Sequence, residues 1–231
     1  MAQLTVDRRS LIAGGALAAA AATGALAQTK AAVATAFSPQ PMPLPFDARS
    51  VPGLSEKLLL SHHDNNYVGA VKRLGAISSQ LAALDPASAP VFTVNGLKRE
   101  ELIAYNSMIL HELYFAGLGA PTKPSARLAQ AIERDFGSQA RWQAEFSGMG
   151  KALGGGSGWV LLTWSARDKR LVNTWAADHT MTLAGGTPLL ALDMYEHADA
   201  MDFGAKAAGY VDAFMGAVNW SAADKAFAKL V

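Results

Sequence analysis

The chain of 231 residues is 51% hydrophobic and 17% charged, a composition that indicates a globular protein with ample core and excludes disorder for most of its length. A formal net charge of +1 gives no indication of nucleic acid or of an anionic membrane surface as a partner. With no cysteine in the chain, disulfides, thiolate ligands and a cysteine nucleophile are excluded, so any metal must be held by His, Asp or Glu.

Residues 1–27 are typical of a signal peptide of the twin-arginine type. The pair Arg8-Arg9 precedes an Ala- and Gly-rich apolar run, and Ala25-Leu26-Ala27 supplies the small residues that a signal peptidase needs before Gln28. We therefore expect recognition by the export machinery and a periplasmic or otherwise exported location. A membrane anchor is the alternative interpretation of the same apolar run.

Residues 28–53 form a Pro- and Ala-rich linker, since prolines at this density disfavour helix and favour extended backbone. Helices are predicted over 54–74, 76–84 and 97–118, with Ser55 capping the first. His62 and His111 lie on the apolar faces of the first and last of these helices, and His63 is expected to face outward. A hydrogen-bonded core histidine is the alternative to a metal ligand at each buried position.

The second half of the chain mixes helices and strands. Helices are predicted over 125–136, 138–153, 205–218 and 222–230, and strands over 159–165, 171–176 and 187–192. The glycine-rich run 154–158 lacks the lysine and the preceding strand of a nucleotide loop, so a turn leading into a strand is the better interpretation. His179 falls in the connection between the second and third strands.

This order of elements predicts an α+β fold. We place a domain boundary near residue 120, so that an N-terminal α-helical hairpin domain, 54–120, precedes a C-terminal domain, 121–231, of helices around a three-stranded antiparallel sheet.

A carboxylate and an imidazole follow the last predicted strand. Asp193 ends an apolar run and His197 comes four residues later, a spacing that places both on one side of a helical turn. This donor pair suits iron, manganese or zinc but is weak evidence alone. Four of the five histidines, His62, His111, His179 and His197, lie in separate elements, which strengthens the case for one shared metal site.

The segment 193–198, Asp-Met-Tyr-Glu-His-Ala, resembles the Asp-x-Trp-Glu-His-Ala signature of the iron/manganese superoxide dismutases, with Tyr195 in place of the tryptophan. The seven-residue spacing from Ser55 to His62 and the segment that begins at His111 are similar to the family's first two ligand segments. Further matching landmarks lie at 136–138, 156–159, 209–210 and 218–220. The resemblance covers residues 43–220 approximately.

The resemblance implies a function and a ligand set. The protein would be a superoxide dismutase that converts superoxide to hydrogen peroxide and oxygen, with one iron or manganese ion per chain and a homodimer as its assembly. His62, His111, Asp193 and His197 would be the protein ligands, with water or hydroxide as the fifth. His179 would be the catalytic residue that orients this solvent, the alternative being an exposed loop histidine.

Several positions depart from the family pattern. Asn66 and Ala70 stand where a histidine and a tyrosine are usual, Ala200 replaces a tyrosine that bonds across the dimer interface, and Gly204 replaces an arginine of the substrate funnel. Tyr67, next to Asn66, is expected to take over part of the role of the histidine that Asn66 replaces. These departures leave two alternatives open: a non-catalytic or differently reactive metal-binding protein of the same fold, and an unrelated helical binding protein.

Overall fold

The structure is a computed structural model that describes residues 34–231. The predicted signal peptide therefore lies outside the described residues. The helices in this part of the chain are α1 (Glu56–Ser61), α2 (Val68–Ala83), α3 (Val91–Ala116), α4 (Ala126–Phe136), α5 (Gln139–Ala152), α6 (Glu196–Phe203), α7 (Ala207–Gly216) and α8 (Ser221–Ala228). A π-helical segment, His62–Tyr67, joins α1 to α2, and a short 3-10 turn covers Ala48–Ser50. In residues 34–231 we find no helix of the length and apolarity that crossing a membrane requires.

The three strands β1 (Trp159–Ser165), β2 (Arg170–Ala176) and β3 (Gly186–Asp193) form one antiparallel sheet in the order β2-β1-β3. Every residue of the central strand β1 is buried, because helices pack against the sheet. The register pairs Trp159 with Asp193, so the start of β1 lies beside the end of β3. The predicted α+β fold with a three-stranded antiparallel sheet is confirmed.

The N-terminal helices differ from the prediction in their bounds. The chain stays helical from Glu56 to Ala83, so the predicted division into helices over 54–74 and 76–84 is wrong. The predicted break falls at Gly75, but a glycine lowers helix propensity without ending a helix, and this one faces the ring of Pro39. Ser55 caps α1 as predicted and accepts a hydrogen bond from the Leu58 N–H at 3.1 Å.

Helix α3 begins at Val91, six residues before the predicted start at residue 97. Pro90 immediately precedes it, and a proline there suits a helix start because the first turn has no intrahelical partner for its N–H groups. The predicted domain boundary near residue 120 falls between α3 and α4 and stays a prediction.

The end of the linker lies along the helices. The Phe37 N–H donates to Ser78 Oγ at 2.6 Å, and the Met42 N–H donates to the Tyr67 hydroxyl at 2.8 Å. Backbone donors of an extended segment need such partners when it packs on a protein surface. These two bonds hold the segment against α2 and the π-helical segment.

Helix α6 is not among the predicted helices. The spacing of Asp193 and His197 predicts one helical turn that holds both, but Asp193 ends β3 and only His197 lies in α6. The Tyr195 N–H donates to Asp193 Oδ1 at 2.9 Å, and the helix starts at the next residue. It ends at Gly204, whose φ of 54° and ψ of −126° favour glycine. The backbone thus gives a physical reason for glycine at this position, where the family resemblance implies an arginine.

Candidate metal centre

Four predicted side chains converge from four elements of the fold. His62 begins the π-helical segment, His111 lies in the last turns of α3, Asp193 ends β3 and His197 lies in the first turn of α6. One donor atom from each of the four lies within 4.8 Å of the donor atoms of the others. His62, His111 and Asp193 are buried, and His197 is partly exposed.

A single carboxylate oxygen is the centre of this cluster. Asp193 Oδ2 lies 3.1 Å from His62 Nε2, 3.2 Å from His197 Nε2 and 3.6 Å from His111 Nε2. The other oxygen, Oδ1, accepts the Tyr195 N–H, which fixes the orientation of the carboxylate. Three imidazole nitrogens therefore face one oxygen across distances of 3.1 to 3.6 Å.

The orientation of His111 shows which kind of ion the cluster would bind. Its Nδ1 lies 2.6 Å from the carbonyl oxygen of Ser107, and since a carbonyl only accepts, Nδ1 must carry the proton. Burial lowers the pKa of His111 to about 3, so the ring is neutral at pH 7 and Nε2 presents a lone pair. Among the described residues, no group forms a hydrogen bond to this nitrogen. A lone pair therefore faces a carboxylate oxygen, and a cation between them would remove the repulsion.

The charge states of His62 and Asp193 also favour a bound cation. Burial lowers the pKa of His62, more strongly than the nearby Asp193 raises it. Burial alone would raise the pKa of Asp193, but hydrogen bonds from His197 and His62 outweigh burial and lower it. The cluster thus combines an ionised carboxylate with two buried neutral imidazoles, which is a donor set for a positive ion.

The distances fit a single metal ion. Nitrogen and oxygen ligands at about 2.1 Å from a shared ion, separated by angles of about 90° to 120°, lie about 3.0 to 3.6 Å from one another. The three separations measured from Asp193 Oδ2 fall in this range. Imidazole and carboxylate donors without sulfur suit iron, manganese or zinc.

His179 lies beside the cluster, and its ring centroid is 6.2 Å from that of His111. Trp159 Nε1 donates to His179 Nδ1 at 2.9 Å. Because burial lowers the pKa of His179 and its Nδ1 accepts, the neutral ring carries its proton on Nε2. The ring of Tyr195 stacks on His179 at 4.8 Å and on His197 at 5.4 Å, which places Tyr195 between the two histidines.

Two residues that support the cluster had no assigned role in the sequence analysis. Ser107 orients His111 through its carbonyl. The sequence does carry a signal for this contact, because the two residues are four apart on one helix face. Trp159 orients His179 through its indole N–H. No sequence signal connects these two residues, since the contact depends on how the β2–β3 connection folds back to the start of β1.

His63 differs from its expected orientation, whereas the expected role of Tyr67 stays a prediction. His63 does not face fully outward, because its side chain is only 12% exposed and its Nε2 donates to the Met42 carbonyl at 2.9 Å. Tyr67 is buried and donates its hydroxyl to Glu112 Oε1 at 3.0 Å. Tyr67 therefore lies on the side of the cluster toward the extended segment.

Asn66 and Ala70, the two departures on the first helical stretch, line a surface pocket of about 230 Å³. His179 and Ser107 line the same pocket, so it reaches two side chains that touch or adjoin the cluster. Small side chains at residues 66 and 70 leave this space open.

The fold and the site define a mononuclear metalloprotein class, in which three histidines and one aspartate meet between a helical hairpin and a sheet. Residues 124–226 match the family described as iron/manganese superoxide dismutases, C-terminal domain. The chain is 67% identical over 189 residues to "Superoxide dismutase [Fe]" of Cupriavidus metallidurans, a match that covers 82% of this chain and 96% of the relative.

More distant relatives carry either metal in their names. "Superoxide dismutase [Mn] 1" of Halobacterium salinarum is 33% identical, covering 77% of this chain and 89% of the relative. "Superoxide dismutase [Fe]" of Aquifex pyrophilus is 32% identical, covering 78% of this chain and 87% of the relative. The chain belongs to the iron/manganese superoxide dismutase family.

Proposed function

We propose that this protein is a superoxide dismutase, which converts superoxide to hydrogen peroxide and oxygen with one iron or manganese ion per chain. The observation that carries the proposal is the lone pair of His111 Nε2, which faces Asp193 Oδ2 at 3.6 Å inside the protein. A non-catalytic metal-binding protein of the same fold is not favoured, because a relative that shares 67% of its residues over most of both chains is named as a dismutase.

The four cluster residues would hold the ion. When bound, a redox-active iron or manganese supplies alternate one-electron oxidation and reduction of superoxide. Three imidazoles and one carboxylate keep the net charge of the site small, and the Ser107 carbonyl fixes the His111 tautomer that leaves Nε2 free to bind. Iron is the first metal to test because the relative at 67% identity is named for iron.

His179 would orient the solvent molecule bound to the metal. The neutral ring carries its proton on Nε2, where it can donate a hydrogen bond, while Trp159 fixes the other nitrogen at 2.9 Å. The ring adjoins the cluster and also lines the 230 Å³ pocket, so it stands between the site and solvent. This geometry supports a catalytic role over that of an exposed loop histidine.

Stopped-flow measurement of superoxide decay tests the proposal. Purified protein loaded with iron or manganese should consume superoxide far faster than the same protein after metal removal. If the protein bound about one ion per chain but did not accelerate superoxide decay, it would be a metal-binding protein without dismutase activity, and the dismutase assignment would be contradicted.

We also propose that the protein is exported. The support lies in the sequence alone, in Arg8-Arg9 and Ala25-Leu26-Ala27. Replacing both arginines by lysine should leave the precursor in the cytoplasm, and fractionation would detect it. Normal export of the double-lysine variant would contradict the twin-arginine assignment.

A homodimer is a further part of this proposal. The support is a pair of exposed apolar side chains on two helices that contact each other, Leu60 of α1 and Met201 of α6, which are 40% and 46% exposed. Light scattering on the purified protein should give twice the mass of the chain. A monomeric mass across micromolar concentrations would contradict it.

A further inference from the structure

The four candidate ligands differ in how firmly the protein holds them. Three of them are buried, whereas the side chain of His197 is 24% exposed. The Ser107 carbonyl orients His111, but within residues 34–231 the only hydrogen bond of the His197 ring joins its Nε2 to Asp193. The position of His197 therefore depends on where helix α6 lies.

Helix α6 lies beside α1 and contacts it at both ends. At one end, the ring centroids of His197 and His62 lie 4.7 Å apart. At the other end, Asp202, five residues after His197, bonds to Ser55, which lies seven residues before His62. The two segments therefore run in opposite directions, and a shift of α6 at Asp202 also moves the ligand His197.

The contact between Asp202 and Ser55 uses both oxygens of the carboxylate. Oδ2 accepts the Ser55 N–H at 2.7 Å, and Oδ1 accepts the Ser55 hydroxyl at 2.6 Å. The same hydroxyl oxygen accepts the Leu58 N–H, which fixes Ser55 as the N-cap of α1. A carboxylate is favourable at this place, because the first N–H groups of a helix have no intrahelical partner and carry a partial positive charge.

We propose that Asp202 is a positioning residue for the metal ligand His197. By tying α6 to α1, Asp202 keeps His197 in place and slows the loss of the metal ion. In the part of the chain that the structure describes, no other side chain of α6 forms a hydrogen bond to another helix. Asp202 and Ser55 are both exposed, so their contact can open locally without unfolding the core. The inference rests on the metal centre of the proposed function and deepens it, but it does not require that the bound ion react with superoxide.

Metal release into a chelator tests this role. Protein loaded with manganese is mixed with excess EDTA, and the manganese that stays bound is measured by elemental analysis after gel filtration at timed intervals. Asp202→Ala should release the metal about fivefold to thirtyfold faster than the wild type, because both hydrogen bonds to Ser55 are lost. Asp202→Asn keeps the side-chain volume and one acceptor oxygen, so its acceleration should be smaller.

A spectrum of the bound metal separates positioning from a general loss of stability. The electron paramagnetic resonance spectrum of the iron(III)-loaded protein reports the arrangement of the ligands around the ion. It should differ between the wild type and Asp202→Ala, because His197 is held less firmly in the variant. If Asp202→Ala does not fold, Asp202→Asn takes its place in both measurements.

Asp224→Ala is the matched control. Both oxygens of Asp224 of α8 accept the N–H of Ser125, the N-cap of α4, at 3.0 Å, so a carboxylate holds a helix start there as Asp202 does at α1. Neither α4 nor α8 carries a residue of the cluster. The control should therefore release metal within about twofold of the wild-type rate and keep the wild-type spectrum.

The outcomes separate this inference from the proposed function. Release from Asp202→Ala at the wild-type rate, an unchanged spectrum, or an equal acceleration in Asp224→Ala would overturn the inference. A wild type that holds metal but does not consume superoxide would contradict the proposed function and leave the role of Asp202 standing. A wild type that binds neither iron nor manganese would contradict both.

Discussion

Replacing Asp193 by asparagine should abolish the metal-dependent part of the protein's stability. The change keeps the volume of a side chain that is fully buried and removes the negative charge that faces His62, His111 and His197 at 3.1 to 3.6 Å. The asparagine amide retains at most one neutral oxygen toward the ion, so the strongest attraction in the site is lost.

The size of the effect follows from binding linkage. Loss of a residue that merely orients a ligand weakens metal affinity about tenfold to a hundredfold, so loss of the charged ligand itself should weaken it at least about a hundredfold. A metal that saturates the wild type at a hundred times its dissociation constant stabilises it by about 2.7 kcal/mol. For a domain of this size, the Tm difference between metal-loaded and metal-free protein should shrink by about 5 to 10 °C.

Calorimetry with and without metal, together with elemental analysis, measures this effect. Asp199→Asn is the control, because Asp199 is a buried carboxylate on the adjoining helix that lies outside the cluster. The control should keep the metal content and the metal-dependent Tm increment of the wild type. Wild-type metal content and increment in Asp193→Asn would refute the assignment of the site.

Three further predictions concern the surroundings of the site. Trp159→Phe removes the donor to His179 and should keep the metal but slow superoxide consumption about tenfold, equivalent to about 1.4 kcal/mol, whereas unchanged stopped-flow rates would contradict the role of His179. His63→Ala should leave the metal content unchanged and lower the free energy of unfolding by about 1 kcal/mol through loss of the bond to the Met42 carbonyl; reduced metal content by elemental analysis would count against our ligand set. The pKa of His111 is lowered to about 3 in the folded apoprotein, so its neutral form is favoured there, and stability present above pH 6.5 is lost as pH falls toward 3. Between pH 7.5 and 4.5, this histidine alone should lower the free energy of unfolding by about 2 to 3 kcal/mol in denaturant titrations, and a flat profile would contradict its burial as a neutral ring.

Local pattern draws attention to the cluster residues, but only the resemblance to a known family separates these four ligands from His179. Each of His62 and His111 interrupts an apolar helix face, and Asp193 ends an apolar run four residues before His197, so every side chain carries a local signal. Local sequence does not show, however, that these four side chains come together in space. Asp193 and His62 are 131 residues apart in the chain, and their 3.1 Å contact depends on how β3 and the helical hairpin pack together.

The errors in element bounds have physical causes. Gly75 has low helix propensity, yet the packed helix continues through it because tertiary contacts outweigh propensity. Helix α6 is short, and its start is specified by the bond between the Asp193 side chain and the Tyr195 N–H rather than by an apolar repeat. The ion pair of Arg73 with Glu100 joins two helices, and no sequence spacing reveals which of their exposed charges will meet.

Titration of the metal-free protein with iron or manganese, with superoxide consumption followed at each addition, tests the central claim most directly. The account predicts that activity rises in proportion to bound metal and stops rising at one ion per chain. It also predicts that Asp193→Asn gains no activity over the same range. Activity that is independent of bound metal, or that rises equally in Asp193→Asn, would contradict a dismutase centred on these four residues.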